Sequence, residues 1–248
     1  MLEFKIVFSR TEDTKDKKYV SYTLQVRQDE NDPEPVNVER RYTHFLDLYN
    51  ALKKDFPAIL NTISFPRKII VGNFDPALIS TRCIAFEGLL HLIANDSRLR
   101  ETKASMDFLQ NVELQEAKRL LEVNEQNNAM ATLETSFKLL NKVYTDRSSI
   151  VLCALCRVVA CASSLGKDNA QLAERWANLA LRRYEAVSDS DLLSLYVPLL
   201  HTCINIWEML EKDKTNLVTE VNDLRKRGMK VNSLLGLMDA VDQLNPTI

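Results

Sequence analysis

With 248 residues, 46% hydrophobic and 27% charged, the chain has room for one large or two ordinary domains and can bury real cores, which excludes a disordered polypeptide. Its net charge of −2 gives no global attraction to nucleic acid or acidic membranes, so any anion site has to be a local cluster. Five glycines and no Walker or dinucleotide fingerprint argue against a glycine-rich phosphate loop.

The opening, Met1-Leu2-Glu3-Phe4-Lys5, carries charges where a signal peptide needs an apolar stretch. Phe4, Ile6 and Phe8 then alternate with Lys5, Val7 and Ser9. Val20, Tyr22, Leu24 and Val26 alternate with polar residues in the same way, and Val36 and Val38 repeat the pattern briefly. A period of two predicts half-buried strands. Polar links at Thr11 to Lys17 and Asp29 to Pro35 make them an antiparallel meander with one face needing cover. Lys15-Asp16-Lys17-Lys18 reads as a solvated turn, with a secondary contact to acidic lipid as the other reading.

Cover comes from helices. Tyr42 to Phe56 has apolar residues at helical spacing, and Pro57 ends it. A loop from Asn61 to Asn73 contains Pro66 and Gly72. Asp75-Pro76 is an N-cap followed by proline at the first helical position. The helix it opens carries Leu78, Ile79, Ile84, Phe86, Leu89, Leu90 and Ile93, and a shorter helix is expected from Ser97 to about Leu109. Three strands and three helices in about 110 residues make an α+β domain.

From Val112 onward the pattern is helical throughout. Leu114, Ala117, Leu120 and Leu121 form one face, and Met130, Leu133, Phe137, Leu140 and Tyr144 step by three and four. Ile150 to Leu165 is apolar nearly all round and is expected to be the central buried helix, with Gly166 at its end. As the longest apolar run it is too short to span a bilayer and contains Arg157, so a soluble protein with at most peripheral membrane contact is expected. Asp168 opens the next helix, where Leu172, Trp176, Ala180 and Tyr184 face inward and Ala173 and Ala177 permit close packing. Ser188-Asp189-Ser190-Asp191 caps a helix to Leu210, in which Pro198 is expected to kink or restart the chain. A last helix from Thr215 past Leu235 carries Val221, Leu224, Val231 and Met238. Such a succession predicts antiparallel hairpins in a right-handed array, loosely like tetratricopeptide repeats.

Cys83, Cys153, Cys156, Cys161 and Cys203 are an odd set with three crowded on one apolar helix, which reads as reduced buried thiols and not as a disulfide framework or a zinc site. His44, His91 and His201 belong to no recognisable triad motif.

One block stands out. Arg40-Arg41-Tyr42-Thr43-His44-Phe45 joins two arginines to an aromatic and the start of a helix; Phe65-Pro66-Arg67-Lys68 follows in the loop, then Arg82 ahead of Phe86-Glu87-Gly88-Leu89. The block resembles the Arg-Arg-Tyr-Ser-Asp-Phe motif of PX domains, the phosphoinositide-binding modules of sorting nexins. The resemblance covers residues 1–110 and implies a three-stranded antiparallel sheet with helices. A PX domain followed by a helical array over 112–240 is similar to a small sorting-nexin subgroup, whose tetratricopeptide-like C-terminal region is called PXB and interacts with proteins. Two departures are visible: only Pro66 remains of the usual Pro-x-x-Pro loop, and His44 replaces an acidic residue.

A phosphoinositide headgroup needs a planar donor fork for a phosphate, a flat face for the ring and further cations around it. By resemblance Arg41 holds the 3-phosphate, Tyr42 packs on the ring, and Lys68, with Arg67 as a near substitute, meets the membrane-proximal phosphate. Arg82 then bonds ring hydroxyls or the 4-position. Arg40 is either a further donor or a charge beside a strand end. Ile69, Ile70 and Val71 either dip into the bilayer or pack on Phe74 and the core. The resemblance thus implies a non-enzymatic adaptor without cofactor or metal. It would bind phosphatidylinositol 3-phosphate on the cytoplasmic face of early endosomes and recruit protein cargo or trafficking partners for vesicle trafficking and protein sorting. The alternative is a scaffold whose PX fold binds protein and not lipid.

Overall fold

The computed structural model describes all residues except 15, 16, 70, 186, 188, 189, 228–234, 247 and 248, and not the side chains of 190 and 191. Lys15, Asp16, Ile70, the Ser188-Asp189 cap and Val231 therefore lie outside the described residues, as do the side chains of Ser190 and Asp191. The chain divides into two compact units, Met1–Gln110 and Asn111–Ile248.

The first unit opens with β1 (Glu3–Asp13), β2 (Lys18–Arg27) and β3 (Val36–Arg41), an antiparallel sheet in the order β1-β2-β3. Tyr22, Leu24 and Val26 of β2 alternate inward and are fully buried. The alternation fails in β1. A register shift between Ile6 and Phe8 inserts one residue, so Phe8, expected inside, is turned out and is 57% exposed.

The helices α1 (Tyr42–Asp55), α2 (Pro57–Leu60), α3 (Pro76–Asn95) and α4 (Ser97–Arg100) follow. Pro57 ends α1 and starts α2, where it occupies the first turn. The side chain of Asp75 accepts from Ala77 N–H at 2.9 Å, as its N-cap pattern predicts. At the core centre Phe45 of α1 stacks on Phe86 of α3 with centroids 3.9 Å apart, and Tyr22 meets Phe86 edge-on at 5.0 Å. By length and composition α3 could cross a membrane, and it is longer than the apolar run at 150–165. Here it lies beside β1 and buries Phe86, Leu89, Leu90 and Ile93 in the core, while Ile84, expected inside, is 70% exposed. Glu87 of α3 accepts the edge N–H of Ile6 at 2.9 Å. The next helix, α5 (Lys103–Glu122), is also longer than expected: Ser97–Arg100 forms its own turn, and α5 runs through Gln110 without a break.

In the second unit α6 (Gln126–Val143), α7 (Ser149–Ser164), α8 (Ala170–Tyr184), α9 (Ser190–Met209), α10 (Thr215–Lys226) and α11 (Leu237–Leu244) form an all-helical array. Leu155, Cys156, Val158 and Val159 of α7 are fully buried, and α6, α8, α9 and α11 all pack on it. Ala170, Ala173, Ala177 and Ala180 are fully buried along α8, where small side chains let α7 approach. Trp176 is only half-buried; its Nε1–H donates to Glu134 at 3.2 Å and its ring meets Phe137 edge-on. Gly166 has φ +82°, which suits a glycine after α7, and a short 3₁₀ turn at Lys167–Asn169 precedes α8. Pro198 does not restart the chain, since α9 is one helix from Ser190 to Met209. The expected last helix is two, α10 and α11. Arg157, buried on α7, donates to Asp242 at 3.1 Å and to the carbonyl of Asn245, which ties the end of α11 to the array. All five cysteines are free.

Candidate functional site

The first unit contains an open cleft of about 540 Å³ where β3, the start of β2, the loop before α3 and α3 itself meet. Arg41, Tyr42, Lys68 and Arg82 all line it, together with Lys17 and Lys18 from the β1–β2 turn. Among the described residues no aspartate or glutamate lines the cleft, although acids outnumber bases in the chain. The segregation is local. A second cleft of the same volume in this unit carries Glu3, Glu30 and Glu87 against Lys5.

Each cation is held differently. Arg41 is exposed at the end of β3, and its guanidinium lies 3.6 Å from the centroid of the Tyr19 ring, a stacked placement that leaves its donor edges available. Its backbone N–H donates to His44 Nδ1 at 3.2 Å, so His44 serves as the N-terminal partner of α1. Burial, with Arg40 and Arg41 nearby, lowers His44 to a pKa of about 4, so it is neutral at physiological pH and accepts that bond.

Tyr42 is buried, and its hydroxyl donates to the Pro66 carbonyl at 2.7 Å. Phe65 stacks on Tyr49 at 4.4 Å and neighbours Tyr42 and Phe86. These contacts fix the root of the loop that presents Lys68. Burial raises the Tyr42 pKa, which keeps the hydroxyl a donor. One face of its ring is taken by Arg82, whose guanidinium carbon is 4.2 Å from the centroid. Tyr42 therefore packs on an arginine and supports the loop before it can meet any ligand.

Arg82 is 2% exposed. Its Nη2 donates to Asn73 Oδ1 at 2.9 Å, and Asn73 Nδ2 donates to the Ile69 carbonyl at 2.8 Å, so α3 holds the loop end through one amide. The Tyr22 hydroxyl lies against the Arg82 guanidinium, but Arg82 Nε makes no hydrogen bond of good geometry, and no carboxylate pairs with this arginine among the described residues. A buried guanidinium in that state is an unusual cost.

The remaining candidates separate. Arg40 is not at the cleft. Alternation along β3 turns it away from Arg41, into full burial, where it donates to the carbonyls of Phe108 at 2.8 Å and Leu109 at 3.2 Å. It is neither a headgroup donor nor a surface charge; it fastens the start of α5. Arg67 is exposed and does not line the cleft, which favours Lys68 of the pair. Ile69 is half-buried on the cleft wall, and Val71 is 85% exposed. The sequence pattern reads Lys17 and Lys18 as a solvated turn, with a secondary contact to acidic lipid as the other reading, and does not single out Asn73 or Tyr19. An asparagine beside a glycine, or an aromatic at a strand start, carries no local sign of such a role.

The family model for the PX domain matches residues 28–112. Sorting nexin-20 of Rattus norvegicus is 31% identical over 229 residues, covering 91% of this chain and 71% of that protein. Sorting nexin-20 of Bos taurus is 28% identical over 232 residues, 92% and 72% of the two chains. Sorting nexin-21 of Homo sapiens is 28% identical over 217 residues, 86% and 56%. With its three-stranded PX unit and a helical region after it, the chain belongs to the sorting nexin family.

Proposed function

We propose that the cleft binds the headgroup of a phosphoinositide and that the helical unit, residues 112–240, recruits protein partners, so that the protein acts as a peripheral adaptor in vesicle trafficking and protein sorting. One observation carries the lipid reading: five cations line a single cleft without a carboxylate among the described residues, one of them buried and incompletely paired. Such an arrangement is costly without an anion and is relieved by one. Arg41 supplies an accessible fork for the 3-phosphate, Lys68 the membrane-proximal cation, Arg82 a buried donor and Tyr42 the ring that supports them. The resemblance to PX domains points to phosphatidylinositol 3-phosphate, on the cytoplasmic face of early endosomes, as the headgroup these four residues would hold. Val71, exposed beside Lys68, would enter the bilayer and add an apolar contact to the ionic one.

The test is liposome sedimentation of the full chain with and without Arg41→Ala. Arg41 is exposed, so the fold survives its loss, and one charge-assisted fork at roughly 1.5–3 kcal/mol per bond predicts at least a tenfold loss of affinity. Equal binding of the variant and the wild type to phosphoinositide liposomes would refute the site. Wild-type binding that ignores the headgroup altogether would favour the protein-binding scaffold.

A further inference from the structure

The second cleft of the first unit differs from the first in charge and in the nature of its walls. It lies where the start of β1 meets the C-terminal half of α3. One wall is the edge of a sheet. In the order β1-β2-β3, no strand among the described residues pairs with the outer side of β1, which is 11 residues long. Such an edge presents a row of backbone donors and acceptors and is a template for a further strand. Ile6 shows which way they point: its N–H turns away from β2 and donates to Glu87 of α3 at 2.9 Å. Alternation gives Phe4, two residues earlier, the same backbone orientation, and Phe4 lines the cleft. Farther along the strand Val7 is 42% and Phe8 57% exposed, so the same edge also offers apolar contact.

The carboxylates decide what such an edge can take. Glu3 comes from β1, Glu30 from the β2–β3 link and Glu87 from α3, and all three line the cleft. They face one lysine, Lys5, and one histidine, His91, so the cleft is net negative. None of the three is in an ion pair among the described residues. Gly88 forms part of the α3 wall, in the interior of a 20-residue helix where glycine is a poor helix former. A Cβ at Gly88 would meet nothing within 4 Å, so packing does not require the glycine. Its effect is to keep that wall low and the cleft open.

We propose that the outer edge of β1 takes an extended basic segment of a partner protein as an added strand, with lysine or arginine side chains on Glu3, Glu30 and Glu87. Main-chain hydrogen bonds to the edge hold the segment, and the carboxylates select its charge and exclude anionic lipid from this side. The incoming strand replaces Glu87 at the Ile6 N–H and frees that carboxylate for a cation. The surface shares no lining residue with the phosphoinositide cleft, so either reading can fail without the other.

The experiment is fluorescence anisotropy of the full chain with an end-blocked, dye-labelled peptide of about seven alternating lysines and valines. Two further probes are the same peptide with glutamate in place of lysine, and one N-methylated at alternate residues, which keeps the charge and loses N–H donors. The variants are Glu3→Gln with Glu87→Gln, in which glutamine can still accept from Ile6, and Gly88→Lys, which puts an ammonium in the cleft and a better helix former in α3. The wild type should bind the basic peptide saturably, at least tenfold more tightly than the glutamate peptide and at least fivefold more tightly than the N-methylated one. The double variant should lose at least fivefold and Gly88→Lys at least tenfold, with melting temperatures at or above the wild-type value. Absence of binding by the basic peptide, or equal binding by both variants, would overturn the proposal. Equal binding of the N-methylated peptide would overturn it by showing a general field in place of an added strand. Self-association of the chain that Gly88→Lys abolishes, without peptide binding, would overturn it by assigning the edge to a second copy. The near-isosteric double variant keeps the test decisive if Gly88→Lys melts lower.

Discussion

Replacing Arg82 with methionine separates the two things this residue does. The side chain is 2% exposed, donates one hydrogen bond to Asn73 at 2.9 Å and lies 4.2 Å from the centroid of Tyr42. Losing a charged hydrogen bond costs roughly 1.5–3 kcal/mol, and losing the cation–ring contact about 0.5–2 kcal/mol. Against this stands the desolvation of a guanidinium whose Nε makes no hydrogen bond of good geometry, an effective penalty of several kcal/mol that methionine does not incur. Methionine also fills most of the volume, so little cavity is left. The opposing terms are of similar size, and the ligand-free variant should melt within a few degrees of the wild type. The ligand response should differ sharply. A headgroup at about a hundred times its Kd stabilises the folded state by about 2.7 kcal/mol. For a unit of this size that is a rise of the order of 10 °C in melting temperature. Calorimetry on the full chain with soluble phosphoinositide should show this rise for the wild type and its loss in Arg82→Met. A variant that melts 10 °C or more below the ligand-free wild type would refute the reasoning by showing that the charge is well compensated. So would one that keeps the ligand-induced rise.

Val71→Asp should cut liposome binding several-fold while leaving soluble-headgroup affinity and melting temperature near wild type, since Val71 is exposed and outside the cleft lining; equal loss in both assays would assign the valine to the fold. His44 should make the first unit acid-sensitive. Its folded pKa of about 4 lies below the unfolded value of about 6.5, so the unfolded chain takes up a proton first and stability falls as pH drops from about 6.5 to 4. His44→Gln should flatten that part of the pH–stability curve, and an unchanged slope would contradict the assignment. Burial raises Cys153 to about 11, Cys156 to about 12, Cys161 to about 11 and Cys203 to about 12, so these thiols are almost wholly protonated at neutral pH. An aromatic disulfide reagent should titrate Cys83, which is only partly buried, in the native protein and the other four only on unfolding. Rapid native reaction of more than one thiol would contradict the buried array.

Helix positions were legible because their signals are short-range. The Asp75-Pro76 cap, the three-and-four spacing after Tyr42 and the alanine series along α8 each lie within a few turns of chain, and each appears where the spacing places it. The order of Arg41, Tyr42, Lys68 and Arg82 was legible through the resemblance to the PX motif, and the fold brings all four to one cleft. Which side an element presents was legible in β2, where Tyr22, Leu24 and Val26 turn inward as expected, but not everywhere. A single inserted residue in β1 sends Phe8 outward, and hydrophobicity alone gives no warning of a register shift. Arg40 and Arg41 are identical neighbours, yet one is sealed against the carbonyls of Phe108 and Leu109 and the other faces the cleft, because α5 returns to cover one side of β3. The helix that runs through Gln110 has no cap or breaker between Met106 and Leu120, and a boundary drawn from a change in periodicity could not see that continuity. The sequence by itself determined most of the elements and the Asp75 cap, consequences of local backbone and side-chain preference, and the resemblance to the PX motif supplied the candidate ligands. Only the tertiary structure decided which cations share a cleft and which one is left buried with an unpaired donor. Those facts depend on contacts such as Ile6 with Glu87 and Arg40 with Phe108, made between residues about 70 to 80 positions apart, whose partners are chosen by how the sheet and helices pack.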